Sequence, residues 1–180
     1  KKSSSRRTRA IAKTEEFIVK NSYNYFIIRP GIVIGGRDKF LNKLLPIFKM
    51  SFFVPLFGSG NAKFQPVYID DVAKAVENII VKKIKENQII ELVGHEIFSY
   101  KSLYESIRTY LGVSRVFLPI PFSLARFLVL IIEKLGINIL TSEQLKLFEY
   151  DNLSGNTEKN FKYLGIESRD VKGIIKRIII

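Results

Sequence analysis

Residues 23–36, "YNYFIIRPGIVIGG", constrain the fold more than any other stretch. β-branched and aromatic residues run without a charge from Tyr23 to Ile28 and stop at Arg29-Pro30-Gly31. Such a run reads as a buried strand that stops at Pro30. "IVIGG" continues it as an extended segment ending in a glycine turn. A second strand signal, "QIIELVG" at 88–94, lies well downstream.

Helical patterns fill the intervals. Residues 8–20 place Ile11, Glu15 and Ile18 on one side, with Phe17 and Val19 widening it. Residues 38–49 read as a helix with Asp38 as N-cap and Pro46 as a kink or stop. Next, "FFVPLFGSGNAKFQPVYI" gives short extended pieces broken by a "GSGN" turn. A helix begins at Asp70 or Asp71 as cap, with Val72, Ala73, Val76, Ile79 and Ile80 forming its apolar face.

Further on, "SYKSLYESIRTYLG" is a helix stopped by Gly112, and "RVFLPIP" is extended. The helix "PFSLARFLVLIIEKLG" is apolar almost all round and reads first as buried core, second as a surface resting on a partner or membrane. It is too short to span a bilayer and carries Arg126 and Glu133. Thr141 and Gln144 form a capping box, and "SRDVKGIIKRIII" is the last helix. Strands alternating with helices predict an α/β fold with a mainly parallel sheet, followed by a smaller, more helical lobe.

Composition removes several functions. There is no Cys and a single histidine, His95, which argues against a transition-metal site. Lys and Arg outnumber Asp and Glu by 29 to 17, a net charge of +12. The basic residues are spread along the chain, and the dense cluster "KKSSSRRTR" has no aromatic interleaved, so nucleic-acid binding is not expected. Asp70 and Asp71 suit a helix start better than acid–base catalysis. The tyrosines at 68, 100, 104 and 110 suit packing, and His95 has no nucleophile or metal partner nearby in sequence.

Ligands of parallel α/β sheets sit at the carboxyl ends of strands, which points to Pro30-Gly31. Pro30 fixes the turn and Gly31 lets something approach the main chain, although a plain Pro-Gly turn explains the pair equally well. No G-x-G-x-x-G follows a first strand and no Walker loop is present, so the phosphate-cradling part of a dinucleotide site is not in these residues.

Longer stretches carry a resemblance. "YNYFIIRPGIVIGGRDKFLNKLLPIF", "VPLFGSGNAKFQPVYIDDVAKAV", "ELVGHEIFSYKSL" and "LPIPFSLARFLVLIIEKLG…LTSEQLKLFEYDN" resemble the carboxyl-terminal half of atypical extended short-chain dehydrogenase/reductases. The most similar branch is the one that includes the NAD(P)H-binding accessory subunit of respiratory complex I (alpha-subcomplex subunit 9 type). The match covers nearly all of 8–170.

That resemblance implies a Rossmann-type sheet lacking its amino-terminal strands, with residues 1–36 its remnant and 37–180 the remaining sheet and substrate-type lobe. It implies NAD or NADP in a full-length relative and none held by this chain alone. Pro30, Gly31, Ile32 and Val33 would line the nicotinamide side, and Arg37, Phe64 and Gln65 would face the substrate cleft. The family's catalytic Tyr-x-x-x-Lys has no tyrosine here, because none occurs before Tyr23; Lys13 or the position of Ile11 would correspond to its lysine. Activity of the chain alone is therefore left open.

Three readings stand. The first is an incomplete NAD(P)-binding protein, truncated or kept for structure, whose partners are a complementary amino-terminal half or respiratory-complex subunits. The second is a nucleoside-sugar epimerase or reductase when completed. The third is a basic module that touches membranes peripherally. The implied location is the cytoplasm or the inner-membrane surface, the matrix side in a mitochondrion.

Overall fold

A computed structural model describes residues 6–82, 85, 87–136, 140–155 and 160–180; most of the basic amino-terminal cluster lies outside them. The predicted alternation is present. Helix α1 (Arg6–Asn21) precedes strands β1 (Phe26–Pro30) and β2 (Ile32–Ile34), then α2 (Leu41–Met50) and β3 (Phe53–Phe57). Strands β4 (Lys63–Phe64) and β5 (Pro66–Tyr68) lead into α3 (Ile69–Val81), β6 (Gln88–Leu92), β7 (Phe98–Ser99) and α4 (Tyr100–Leu111). Strand β8 (Val116–Ile120), α5 (Phe122–Lys134), α6 (Ser142–Leu145) and α7 (Val171–Ile179) complete it.

Three strand pairs are parallel: β1 with β6, β2 with β5 and β3 with β8. Among the described residues only the short β4–β7 pair is antiparallel. The pairing is stepped, because the chain turns at Pro30-Gly31, leaving β6 as its partner before the turn and taking β5 as its partner after it. Ile90 and Leu92 face inward beneath α3, with Val67, Ala75, Ile79, Phe161 and Leu164 filling the same cluster and Phe26 and Ile28 of β1 packed against it. A larger cluster around Phe48, Phe64, Tyr100, Tyr104 and Ile107 holds α2, α4 and α7 together. A third, small one seats α5 on Leu145 through Ala125 and Val129.

Local rules worked at most element ends. Asp38 accepts hydrogen bonds from the N–H groups of Phe40 and Leu41 at 2.8 and 2.7 Å, so it starts α2 although it stands just outside the cap position. Pro46 sits inside α2 without ending it. The Thr141–Gln144 capping box is formed, and Gly112 ends α4 in the left-handed region at φ 63°.

Two helix faces differ from expectation. The buried side of α3 is Asp71, Ala75, Asn78 and Ile79, one residue earlier in phase than the apolar pattern, and Val76 and Ile80 are exposed. Two polar groups tolerate burial there because each is partnered: Asn78 donates to the Leu164 carbonyl at 3.0 Å, and Asp71 accepts from the Arg169 backbone N–H at 2.8 Å. Asp71 therefore does not cap the helix but clasps a distant loop, and the residue before the helix is Tyr68. Helix α5 is not core: only Ala125 and Val129 are buried in it.

Candidate functional site

The carboxyl ends of β1 and β6 meet the entry of β5 at three close approaches. The Gly31 N–H donates to the Leu92 carbonyl at 2.9 Å, and the Gly94 N–H to the Pro66 carbonyl at 3.1 Å. A Cβ on Gly31 would stand 2.3 Å from the Gln65 carbonyl oxygen, and one on Gly94 2.3 Å from that of Pro66. What comes up against the Gly31 main chain is therefore the adjoining strand of the protein itself. Both glycines are required by backbone packing at the strand ends.

A chain of polar contacts crosses these ends. Glu15 on α1 receives two hydrogen bonds from the Arg29 guanidinium, at 3.0 and 2.5 Å, and Arg29 also faces Glu91 of β6 at 3.6 Å. The Glu91 carboxylate accepts from the Ser154 hydroxyl at 2.5 Å and from the Gly155 N–H at 3.2 Å. Gln65 closes the line, donating to the Gly94 carbonyl and accepting from the Ser154 N–H at 2.9 Å. The hydrogen bonds that Arg29 donates to Glu15, reinforced by the charges of Glu15 and Glu91, hold the Arg29 pKa above its ordinary value. Arg29 is thus a fixed cation between two carboxylates.

Beside this network lies a cavity of about 570 Å³, lined by Gln65, Gly94, His95, Ser154, Lys162 and Ser168 among others. His95 Nδ1 and the Ser168 hydroxyl stand 3.0 Å apart at its rim. The cavity opens where strand-end geometry favours ligands. Among the described residues no group of three His, Cys, Asp or Glu is placed to hold a metal ion.

The sequence-derived candidates divide. Gly31 and Gln65 come together, and Gln65 lines the cavity. Pro30 is exposed at the end of β1, whereas Ile32 and Val33 are partly buried and pack into different clusters. Arg37 and Lys13 are exposed. Phe64 is buried against Phe40, Phe98 and Tyr100, with ring centroids 5.8, 6.1 and 4.8 Å away, so it supports the floor rather than meeting solvent. Arg29, Glu91, Glu15 and Ser154 were missed. The legible signal was Glu91, a charge inside the otherwise apolar strand 88–92.

The tyrosines behave as packing residues. Burial pushes the hydroxyls of Tyr100 and Tyr104 up, and Tyr100 donates to the Leu147 carbonyl at 3.1 Å.

Parallel strands ending in a glycine-lined crevice are the signature of a Rossmann-type fold, and solved structures agree. The chain superimposes on triphenylmethane reductase from Citrobacter sp. with a TM-score of 0.75 at 17% identity, over 99% of this chain and 61% of that one. UDP-glucose 4-epimerase from Thermotoga maritima, solved with UDP-glucose, gives 0.66 at 15% identity over 96% and 50%. dTDP-4-dehydrorhamnose reductase from Bacillus anthracis, solved with NADP, gives 0.63 at 13% identity over 94% and 52%. The fold is the one that these reductases and this epimerase share.

Sequence similarity is narrower. The chain resembles the mitochondrial NADH dehydrogenase [ubiquinone] 1 alpha subcomplex subunit 9 of Arabidopsis thaliana, with 29% identity over 185 residues, 95% of this chain and 45% of that protein. It is also similar to the mitochondrial NADH-ubiquinone oxidoreductase 40 kDa subunit of Neurospora crassa, 24% identical over 147 residues, 81% and 38% of the two chains. The chain spans less than half the length of these relatives. No family model matches it.

Proposed function

We propose that this chain is the nicotinamide-side wall and second lobe of an NAD(P)-binding subunit of the complex I accessory kind, and that it does not hold the cofactor by itself. One observation carries the reading. Strand β1 ends at Pro30-Gly31 beside a polar crevice, while its edge opposite β6 takes no strand among the described residues. A two-stranded parallel pair is not a self-sufficient sheet. The apolar Ile11 and Phe17 of α1, next in chain order before it, stand exposed at 48% and 67%. A further parallel strand would use that edge and cover that helix.

In this reading Pro30, Gly31, Ile32 and Val33 form the nicotinamide wall. Gln65 and Arg37 face the cleft, with Phe64 beneath. Lys13, exposed on α1 two residues before Glu15, is the remnant of the lysine that would steady a ribose. The boundary between the two parts falls at 36/37. NADP in the Bacillus anthracis reductase, and the plant and fungal relatives' being mitochondrial subunits of NADH dehydrogenase and NADH-ubiquinone oxidoreductase, support the cofactor class and the setting. The partners are the complementary amino-terminal portion and neighbouring respiratory subunits, on the matrix side of an inner membrane. No described helix is long and apolar enough to cross that membrane.

Titrating the purified chain with NADH and with NADPH by fluorescence tests this. The expected result is no saturable signal in the micromolar range. Saturable micromolar binding overturns the statement that the chain lacks its own cofactor site. The fold likeness to UDP-glucose 4-epimerase favours a second reading, a sugar-nucleotide epimerase or reductase in its complete form. An in-frame glycine-rich turn and Tyr-x-x-x-Lys encoded upstream of Lys1 would select it; a glycine-rich turn without the tyrosine would select the first.

A further inference from the structure

Helix α5 carries two apolar stripes on different sides. The inner one, Phe122, Ala125 and Val129, packs on Leu145, Phe57, Ile120 and Leu140. The outer one is Leu124, Phe127, Leu128 and Ile131, continued by Leu135 just past the helix end, at i, i+3, i+4, i+7 and i+11. That spacing gathers them within about one third of the helix circumference, on a different side from the buried stripe. All five are exposed, from 41% at Leu128 to 69% at Leu135, and no charge interrupts them. The strand that feeds the helix extends the pattern: on the β3–β8 pair Phe53 lies opposite Val116 and Pro55 opposite Leu118, with Phe53, Val116 and Leu118 exposed. A parallel pair is ordinarily covered on both faces, and this one is covered on one.

We propose that the outer face of α5 is a membrane-docking surface that lies flat in the headgroup region of an anionic phospholipid bilayer. Length sets the orientation. Thirteen residues give about 20 Å of helix against about 30 Å of hydrocarbon, so the helix lies in the plane of the bilayer. Charge sets the partner. The chain carries a net +12, and two acidic groups near the helix are engaged within the protein. Glu133 accepts from the Ser142 N–H and hydroxyl at 2.9 and 2.6 Å, and Glu149 is paired with Arg126. The long-range field therefore draws the chain to a negative surface.

Charge argues against a second copy of the chain, because two molecules each carrying +12 repel as they meet. Position separates this face from the open edge of β1. The cluster under α5 shares no residue with the cluster under β1 and β6. The inference accordingly stands independently of the cofactor reading.

The test is co-sedimentation of the full chain with phosphatidylcholine–phosphatidylglycerol vesicles and with pure phosphatidylcholine vesicles, at low and high salt. Wild type is expected to bind the anionic vesicles, less so as salt rises. The double variant F127Q/I131Q is expected to bind at least about tenfold more weakly, through lost insertion of the stripe. Tyr23→Gln, an exposed aromatic far from α5 in sequence, is expected to leave binding unchanged. Absent binding of wild type, equal binding by F127Q/I131Q, or a wild-type dimer that F127Q/I131Q splits in sedimentation equilibrium would each overturn the proposal. Amide exchange of wild type with and without vesicles gives a reading free of any folding defect. Slowed exchange in 122–135 supports the proposal, and unaltered exchange there refutes it.

Discussion

Replacing Gly31 by alanine tests the account of the strand ends directly. The new Cβ would lie 2.3 Å from the Gln65 carbonyl oxygen and 3.2 Å from Val93 Cγ1. Ordinary C···O contacts begin near 3.3 Å, so the two backbones must part by about 1 Å. Neither side gives easily. Gly31 is tied to Leu92, while the Gln65 N–H is bonded to the Asn152 carbonyl and the following residues pair in register with β2. Overpacking of this kind costs about 1–3 kcal/mol, and the lower entropy of an unfolded alanine offsets about 0.4–1 of it. The net loss is about 1.3 kcal/mol, which for a chain of this size lowers the melting temperature by about 3–5 °C. Gly36→Ala is the control, because nothing lies within 4 Å of its added Cβ, and it should change stability by less than about 0.5 kcal/mol. Thermal unfolding followed by circular dichroism measures both. A Gly31→Ala protein that melts at or above wild type would refute the reasoning.

Other outcomes follow from the same contacts. Asp71→Asn removes the carboxylate held 3.2 Å from Arg169 Nε and leaves Arg169 only the exposed Asp70 contact at 3.5 Å; it should cost about 1–2 kcal/mol in urea unfolding because Asp71 is buried while Arg169 stays half exposed. Arg29→Gln cuts α1 loose from β1 and should speed amide exchange across Arg6–Asn21 with less than about 1 kcal/mol of global destabilisation; unchanged exchange would show that α1 is held by other contacts. Ser142 hydrogen bonds hold the Glu133 carboxyl below the usual carboxylate range. Ser142→Ala should therefore raise the Glu133 pKa in a carboxyl-resolved NMR titration. The sign follows from linkage: a depressed folded pKa stabilises above the unfolded value of about 4.3 and is lost as pH falls through the folded value. Wild type and Ser142→Ala should thus converge in stability as the solution is acidified.

Much of the architecture was written locally. The apolar run 23–30, the second strand at 88–92, the Thr141–Gln144 box and the glycine stop at 112 each follow from neighbours within a few residues, where propensity and capping act. The Pro30-Gly31 strand end was legible for the same reason. Sequence alone also set the charge and the absence of Cys.

Tertiary structure decided what a local pattern cannot contain. Which face of α3 is buried depended on Arg169 and Leu164, nearly a hundred residues away, which satisfy Asp71 and Asn78 and let polar residues turn inward. The Glu15–Arg29–Glu91–Ser154–Gln65 line joins five separate segments, so no spacing in the chain announces it. Gly31 was readable as a position that must lack a side chain, but the occupant of that space is another strand's carbonyl, fixed only when β1, β5 and β6 converge. An apolar helix is equally apolar in core or on a surface. Only the packing of α5 through Ala125 and Val129 shows that its second stripe is left uncovered, because burial is a property of the neighbours a residue finds and not of the residue.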